Sequence, residues 1–172
     1  MKLLSSMLLA LLVALPAMGQ DAAADDTSET TTYYLIRHAE KDRSDTTNKN
    51  PDLTEEGRER AQNWAEVFSK VNFDIVYSTN YNRTLRTAAP TAMKQSVEVK
   101  SYDPRKLYNK EFRKKTAGKT VLVVGHSNTT PAFVNAILGE ERFQDMSDDD
   151  NGSLFIVTVS GDTKSVQVLT IN

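Results

Sequence analysis

The chain reads as an α/β protein: a mostly parallel central sheet with helices on both faces and an antiparallel addition at its C-terminal end. Three observations predict this. Short apolar runs alternate with amphipathic helical patterns through most of the sequence, as parallel sheets with crossover helices require. Two of those runs, Tyr33-Tyr34-Leu35-Ile36 and Val121-Leu122-Val123-Val124, are apolar throughout and so read as strands buried on both faces. The last two runs, 154–159 and 166–171, are separated by Gly161-Asp162, which suggests a hairpin.

The start of the chain reads differently from the rest. Lys2 is followed by an apolar stretch from Leu3 to Leu15, and Pro16-Ala17-Met18-Gly19 offers the small residues a signal peptidase reads. The run is too short for a comfortable membrane span. Residues 1–19 are therefore expected to be a signal peptide, 20–31 a mobile polar leader, and 32–172 one folded domain. The expected destination is outside the cytoplasm, a bacterial periplasm or the medium, as a soluble protein with no stable membrane insertion.

Composition narrows the function. There is no cysteine, which excludes disulfides, zinc-thiolate sites and a thiol nucleophile. Loss of residues 1–19 removes one base, Lys2, and leaves 20 basic against 23 acidic side chains. No basic stripe dominates, so nucleic acid is not an expected partner.

In chain order, strand one spans about 32–37, and a polar loop runs from Lys41 to Asp52. Thr54 suits the N-cap of the first helix, with Glu55 and Glu56 in its first turn. Ala61, Trp64, Ala65, Phe68 and Val71 form that helix's apolar face. A second strand over 73–78 leads to a helix of 81–95, expected to break or kink near Pro90. Strand 97–102 and the turn Asp103-Pro104 precede a basic helix of about 105–117, closed near Gly118. Its charges (Arg105, Lys106, Lys110, Arg113, Lys114, Lys115) read as a solvated face, a polyanionic substrate being the sharper alternative. Strand 120–125 then feeds a helix of 130–138, with Pro131 in its first turn and Gly139 as its stop. Asp148-Asp149-Asp150 lacks the alternating spacing of a calcium loop and reads as a turn.

Both histidines of the chain, His38 and His126, stand at the C-terminal edge of a core strand, the edge where open α/β sheets bind ligands. Arg37 adjoins the first, and Arg83 and Arg86 follow the second strand near a helix start, where free N–H groups favour an anion. Two guanidinium forks and two imidazoles above one sheet edge suit a phosphoryl group, with a histidine as the nucleophile.

These segments resemble the histidine phosphatase superfamily, the phosphoglycerate-mutase-like proteins. Leu35-Ile36-Arg37-His38-Ala39-Glu40 is similar to its Arg-His-Gly signature, and Leu53-Thr54-Glu55-Glu56-Gly57 to the element opening its first helix. Ser78 through Ala88 resembles its Ser-x-x-x-x-Arg-Ala-x-x-Thr-Ala segment, and Val124-Gly125-His126-Ser127 its second histidine motif. Ala39 replaces the usual glycine and Thr84 the usual alanine.

The resemblance implies a phosphoglycerate-mutase-like fold and a phosphatase without a cofactor or metal. His38 would become phosphohistidine, while Arg37, Arg83 and His126 hold the phosphoryl oxygens. Their positive field is expected to lower the pKa of His38. The resemblance also implies a carboxylate acid between the third strand and the second histidine when the substrate is an alkyl phosphate. Asp103 is the first candidate, Glu111 a second and Glu40, beside the nucleophile, a third. Asp103-Pro104 is also an ordinary turn pair.

Without an acid, aryl phosphates or phosphohistidine would be preferred. Glu40, Arg86, Ser127 and Asn128 are further candidates for substrate contact, though Arg86 could equally form a surface ion pair. Lys41–Pro51 and Tyr102–Lys119 are the expected walls of the specificity pocket. Expected partners are a small phosphorylated molecule or a phosphorylated glycan or protein. A phosphate or sugar-phosphate binding protein without turnover is the rival reading.

Overall fold

Strand β1 (Thr31–Arg37) sits inside the sheet because its side chains are apolar in both directions. In the computed structural model, which describes residues 29–171, Tyr33 and Leu35 join the core on one face with Val121, Val123, Phe133 and Phe155. Ile36 and the half-buried Tyr34 join the opposite face with Leu122, Val124, Trp64 and Phe68. This alternation is what a period of two places across a doubly covered sheet.

The expected signal peptide, and the leader up to residue 28, lie outside the described residues. Residues 29–31, assigned to the leader, are engaged with the domain: Gly118 N donates to Thr31 Oγ1 at 2.9 Å, and β1 starts at Thr31.

The remaining elements are α1 (Glu55–Val67), β2 (Ile75–Ser78), α2 (Asn82–Lys94), β3 (Val99–Ser101), α3 (Lys110–Thr116), β4 (Thr120–Gly125), α4 (Thr129–Leu138), β5 (Ser153–Ser160) and β6 (Thr163–Thr170). The six strands lie in the order β3-β2-β4-β1-β5-β6. The first four are parallel and the last two antiparallel. Residues of α1 and α2 cover one face and residues of α3 and α4 the other.

Thr54 caps α1 as expected, its hydroxyl accepting from Gly57 N at 3.0 Å. Gly57 is required: a Cβ there would lie 2.2 Å from the Glu40 carbonyl oxygen, so only glycine lets α1 rest on the segment after His38. Gly139 ends α4 with φ at 81°, the left-handed geometry that glycine adopts freely.

Two expectations are corrected. Helix α2 runs through Pro90 without a break. The basic helix is shorter than the pattern suggested, starting only at Lys110, because Asn109 caps Phe112 N at 2.9 Å. Ahead of it, Asp103 bonds Arg105 N at 3.0 Å and holds the chain in a turn. Among the described residues, no helix is long and apolar enough to cross a membrane.

Candidate active site

Register decides where the two histidines meet. Arg37 pairs with Gly125 in the parallel β1–β4 ladder, and His38 N donates to Gly125 O at 2.9 Å. His38 and His126 are therefore the next residues out on adjacent strands, on the same side by the period-two rule. Their ring centroids lie 5.4 Å apart.

The tautomer of His38 follows from its partner. Nδ1 lies 2.7 Å from Ala39 O, and a carbonyl only accepts, so Nδ1 carries the proton and Nε2 keeps its lone pair. His38 is buried, and its pKa is lowered to about 3. Burial is the largest cause; the fields of Arg37, His126 and Arg83 act in the same direction, against the Ala39 carbonyl. The expected direction is right, but desolvation outranks the arginine field as its source.

His126 is also held neutral. Arg83 Nη2 donates to its Nδ1 at 3.3 Å, so Nε2 carries the proton and donates to Thr79 Oγ1 at 2.9 Å. The Thr79 hydroxyl lies 2.9 Å from that of Thr84. Thr84 in turn lies 2.9 Å from the carbonyl oxygens of Thr79 and Tyr81, either of which it can donate to. Thr84 thus ends a hydroxyl chain that orients the second histidine. Burial, then Arg83, lowers the pKa of His126 to about 4.

The arginines differ in how they are engaged. Arg37 is only 2% exposed. Its Nη1 donates to Ser147 O at 2.8 Å and Asp150 O at 3.1 Å, and its Nη2 pairs with Asp148 at 2.9 Å. Asp148 also pairs with Arg43 at 2.8 Å. Asn151 Nδ2 completes the clasp, donating to His38 O at 2.8 Å.

The acidic turn is thus a wall of the site. Sequence reasoning missed this, since two of the contacts use the turn's own backbone carbonyls, which every residue possesses. Arg83 lies 4.6 Å over the Tyr81 ring. Three buried guanidinium nitrogens have no hydrogen-bond partner among the described residues: Arg37 Nε, Arg83 Nε and Arg83 Nη1.

The other candidates distribute as follows. Glu40 lines the His38 cleft, which measures about 360 Å³; its Oε1 accepts from Arg60 Nε at 2.6 Å, and its Oε2 is buried without a partner. Asp103 is not at the site. It follows β3, which β2 and β4 separate from β1, so it starts roughly 14 Å away by strand spacing alone.

The carboxylate of Asp103 bonds Arg105 Nε and Nη2, both at 3.0 Å. These bonds lower its pKa to about 2, the wrong direction for an acid. It lines a separate cleft together with Glu111, which is paired with Lys115 at 2.8 Å. Tyr102–Lys119 is therefore not a wall of this site: Tyr102, Leu107, Tyr108 and Phe112 pack with the core on the opposite face from His38's neighbours.

Arg86 pairs with Asp52 at 2.6 Å and lines a groove between α1 and α2, the surface ion pair weighed from the sequence. Ser127 and Asn128 precede α4 and line neither the cleft of His38 nor the one beside it at Arg83. The start of α2 is partly taken: Asn82 N donates to Asn50 Oδ1 at 2.8 Å. Among the described residues no group of His, Cys, Asp and Glu is arranged to hold a metal ion.

The family model for the histidine phosphatase superfamily (branch 1) matches residues 33–104, which include Arg37, His38 and Arg83 but not His126. The sequence matches no curated protein. Several solved structures share the fold. The phosphoserine phosphatase of Entamoeba histolytica, seen as a histidine-to-alanine variant with phosphoserine, is 18% identical with a TM-score of 0.62, covering 80% of this chain and 95% of its own. The phosphoglycerate mutase of Bacillus anthracis is 13% identical with a TM-score of 0.63, covering 84% and 94%. The protein histidine phosphatase SixA, solved with tungstate, is 14% identical with a TM-score of 0.62, covering 81% and 96%.

Proposed function

We propose that this chain, whose segment 33–104 and whose fold are those of the histidine phosphatase superfamily, is an exported phosphatase working through a phosphohistidine on His38. One observation carries the reading. Beside two imidazoles held neutral, three buried guanidinium N–H groups await an acceptor. Buried donors are nearly always satisfied in native proteins, and a phosphoryl group offers oxygens that match them.

In the proposed reaction the Nε2 lone pair of His38 forms a bond to phosphorus as the bond to the leaving oxygen breaks. That oxygen takes its proton from solvent, since the Asp103 carboxylate is paired elsewhere. Nδ1–H stays on the Ala39 carbonyl, which stabilises the positive charge the ring acquires. Arg37 and Arg83 neutralise charge on the equatorial oxygens, the larger part of catalysis in phosphoryl transfer, and the neutral His126 orients Arg83, whose Nη2 donates to its Nδ1. Water then attacks phosphorus, the N–P electron pair returns to Nε2, and inorganic phosphate leaves.

With Asp103 and Glu111 paired outside the cleft and Glu40 engaged with Arg60, the preferred substrates are those with good leaving groups, phosphohistidine or aryl phosphates, free or on a protein or glycan. The activities named for SixA and the Entamoeba enzyme, both phosphatases, support hydrolysis. Export rests on Lys2, the apolar run and the small residues before Gln20. Mass spectrometry of the secreted protein would show an N-terminus near Gln20; one still at Met1 would refute it.

The deciding test is para-nitrophenyl phosphate in EDTA, beside the His38→Ala variant. Metal-independent release of phosphate that the variant loses is the expected result. Binding of phosphate without turnover, equal in both proteins, would instead favour a silent phosphate-binding protein.

A further inference from the structure

The loop after Lys41 encloses a second cleft, of about 310 Å³, which adjoins the first by sharing Lys41 and Arg43. Its charged lining is Lys41, Arg43, Lys49 and Arg83 against Asp42 and Asp45. The two acids are turned back on their own loop. Asp42 accepts from Ser44 N at 2.8 Å, and Asp45 from the amide and hydroxyl of Thr47 at 2.9 and 2.6 Å. Arg43 is paired with Asp148.

Lys41 and Lys49 are left with no side-chain hydrogen bond or ion pair among the described residues. A lysine on a surface is ordinary. A half-buried one among three further cations, with its neighbouring acids turned away, is not.

Burial, then Arg43 and Arg83, depresses the pKa of Lys41 against the opposing pull of Asp148, so an incoming anion would relieve repulsion that the loop's own acids leave standing. We infer that this cleft is a second anion subsite: the substrate carries, besides its phosphoryl group, a further carboxylate or phosphate that Lys41 and Lys49 bind. The inference rests on the His38 cleft being the phosphoryl site, and it narrows the substrate from any monoester to doubly anionic ones.

Calorimetry with phosphonates tests it without turnover, because their P–C bond cannot be hydrolysed by this chemistry. The probes are alkylphosphonates and ω-carboxyalkylphosphonates of matched chain length. At the length that spans the two clefts, the carboxylated member should bind about tenfold more tightly, as expected for charge-assisted hydrogen bonds to an ammonium. The Lys41→Gln/Lys49→Gln double variant should bring that ratio close to one. Equal affinity at every length, or a preference that survives the double variant, overturns the subsite. Turnover of para-nitrophenyl phosphate alongside equal affinities would refute the subsite alone, whereas failure of every phosphonate to bind would refute the phosphoryl site as well.

Discussion

Lowering the pH from 8 to 5 should destabilise this protein by about 2 kcal/mol through His38 alone, and His38→Gln should remove that dependence. The unfolded histidine titrates near 6.5. At pH 5 protonation stabilises the unfolded state by RT ln(1 + 10^1.5), about 2 kcal/mol. The folded state gains almost nothing, because His38 is held to about 3.

The sign follows from proton counting. Between the two values the unfolded chain binds more protons, so the contribution is complete above pH 7.5 and is lost as pH falls through 6.5 towards 3. At pH 5 the figure hardly depends on where below 4 the folded value lies. His126, held to about 4 and more open to solvent, adds a smaller increment of the same sign. With only two histidines in the chain and carboxylates titrating mostly below 5, this window isolates the pair.

The assay is urea unfolding at pH 8, 6.5 and 5 in chloride buffers, wild type beside His38→Gln. A variant whose stability falls over that window as steeply as wild type, within about 0.5 kcal/mol, would refute a buried His38 held neutral.

Three further outcomes are expected. Asp148→Asn removes the carboxylate that bridges Arg37 and Arg43; inorganic phosphate should then bind roughly three- to tenfold tighter by calorimetry, and weaker binding would mean that Asp148 chiefly orients Arg37. Asp103→Asn should leave turnover of both aryl and alkyl phosphates unchanged, whereas a tenfold loss in kcat on alkyl phosphates would restore it as the proton donor. Gly57→Ala would improve helix propensity by about 1 kcal/mol, yet it should lower stability by about 1–3 kcal/mol because its Cβ overlaps the Glu40 carbonyl. A raised melting temperature would show that this contact yields.

Much of the architecture was legible because strong local signals coincided with burial. Tyr33–Ile36 and Val121–Val124 are apolar in both directions, so they had to be interior strands, and period two then placed His38 and His126 on one side. Thr54 announced its helix because its hydroxyl has a defined task. Asp103 misled because the order of strands in a sheet leaves no local trace: only the fold puts two strands between β3 and β1. Ser147–Asn151 was opaque for a different reason. It grips Arg37 largely through carbonyl oxygens, and the antiparallel run of β5, which begins beside the end of β1, brings it there rather than any motif.

The segment between Glu40 and Thr54 is closed at its neck. Thr54 N donates to Glu40 O at 2.9 Å and Asp42 N to Asp52 O at 2.8 Å, with Lys41 bridged to Leu53 between them. His38 stands on one side of this stem and a capped helix on the other, so neither is held by what the stem encloses. Lengthening an enclosed segment adds only about 0.6 kcal/mol of closure entropy per doubling. Residues 44–49 therefore form an exchangeable cassette between Arg43, which pairs with Asp148, and Asn50, which holds Asn82: a lineage, or an engineer, can rewrite what the protein recognises while the histidine cleft beneath it keeps its geometry.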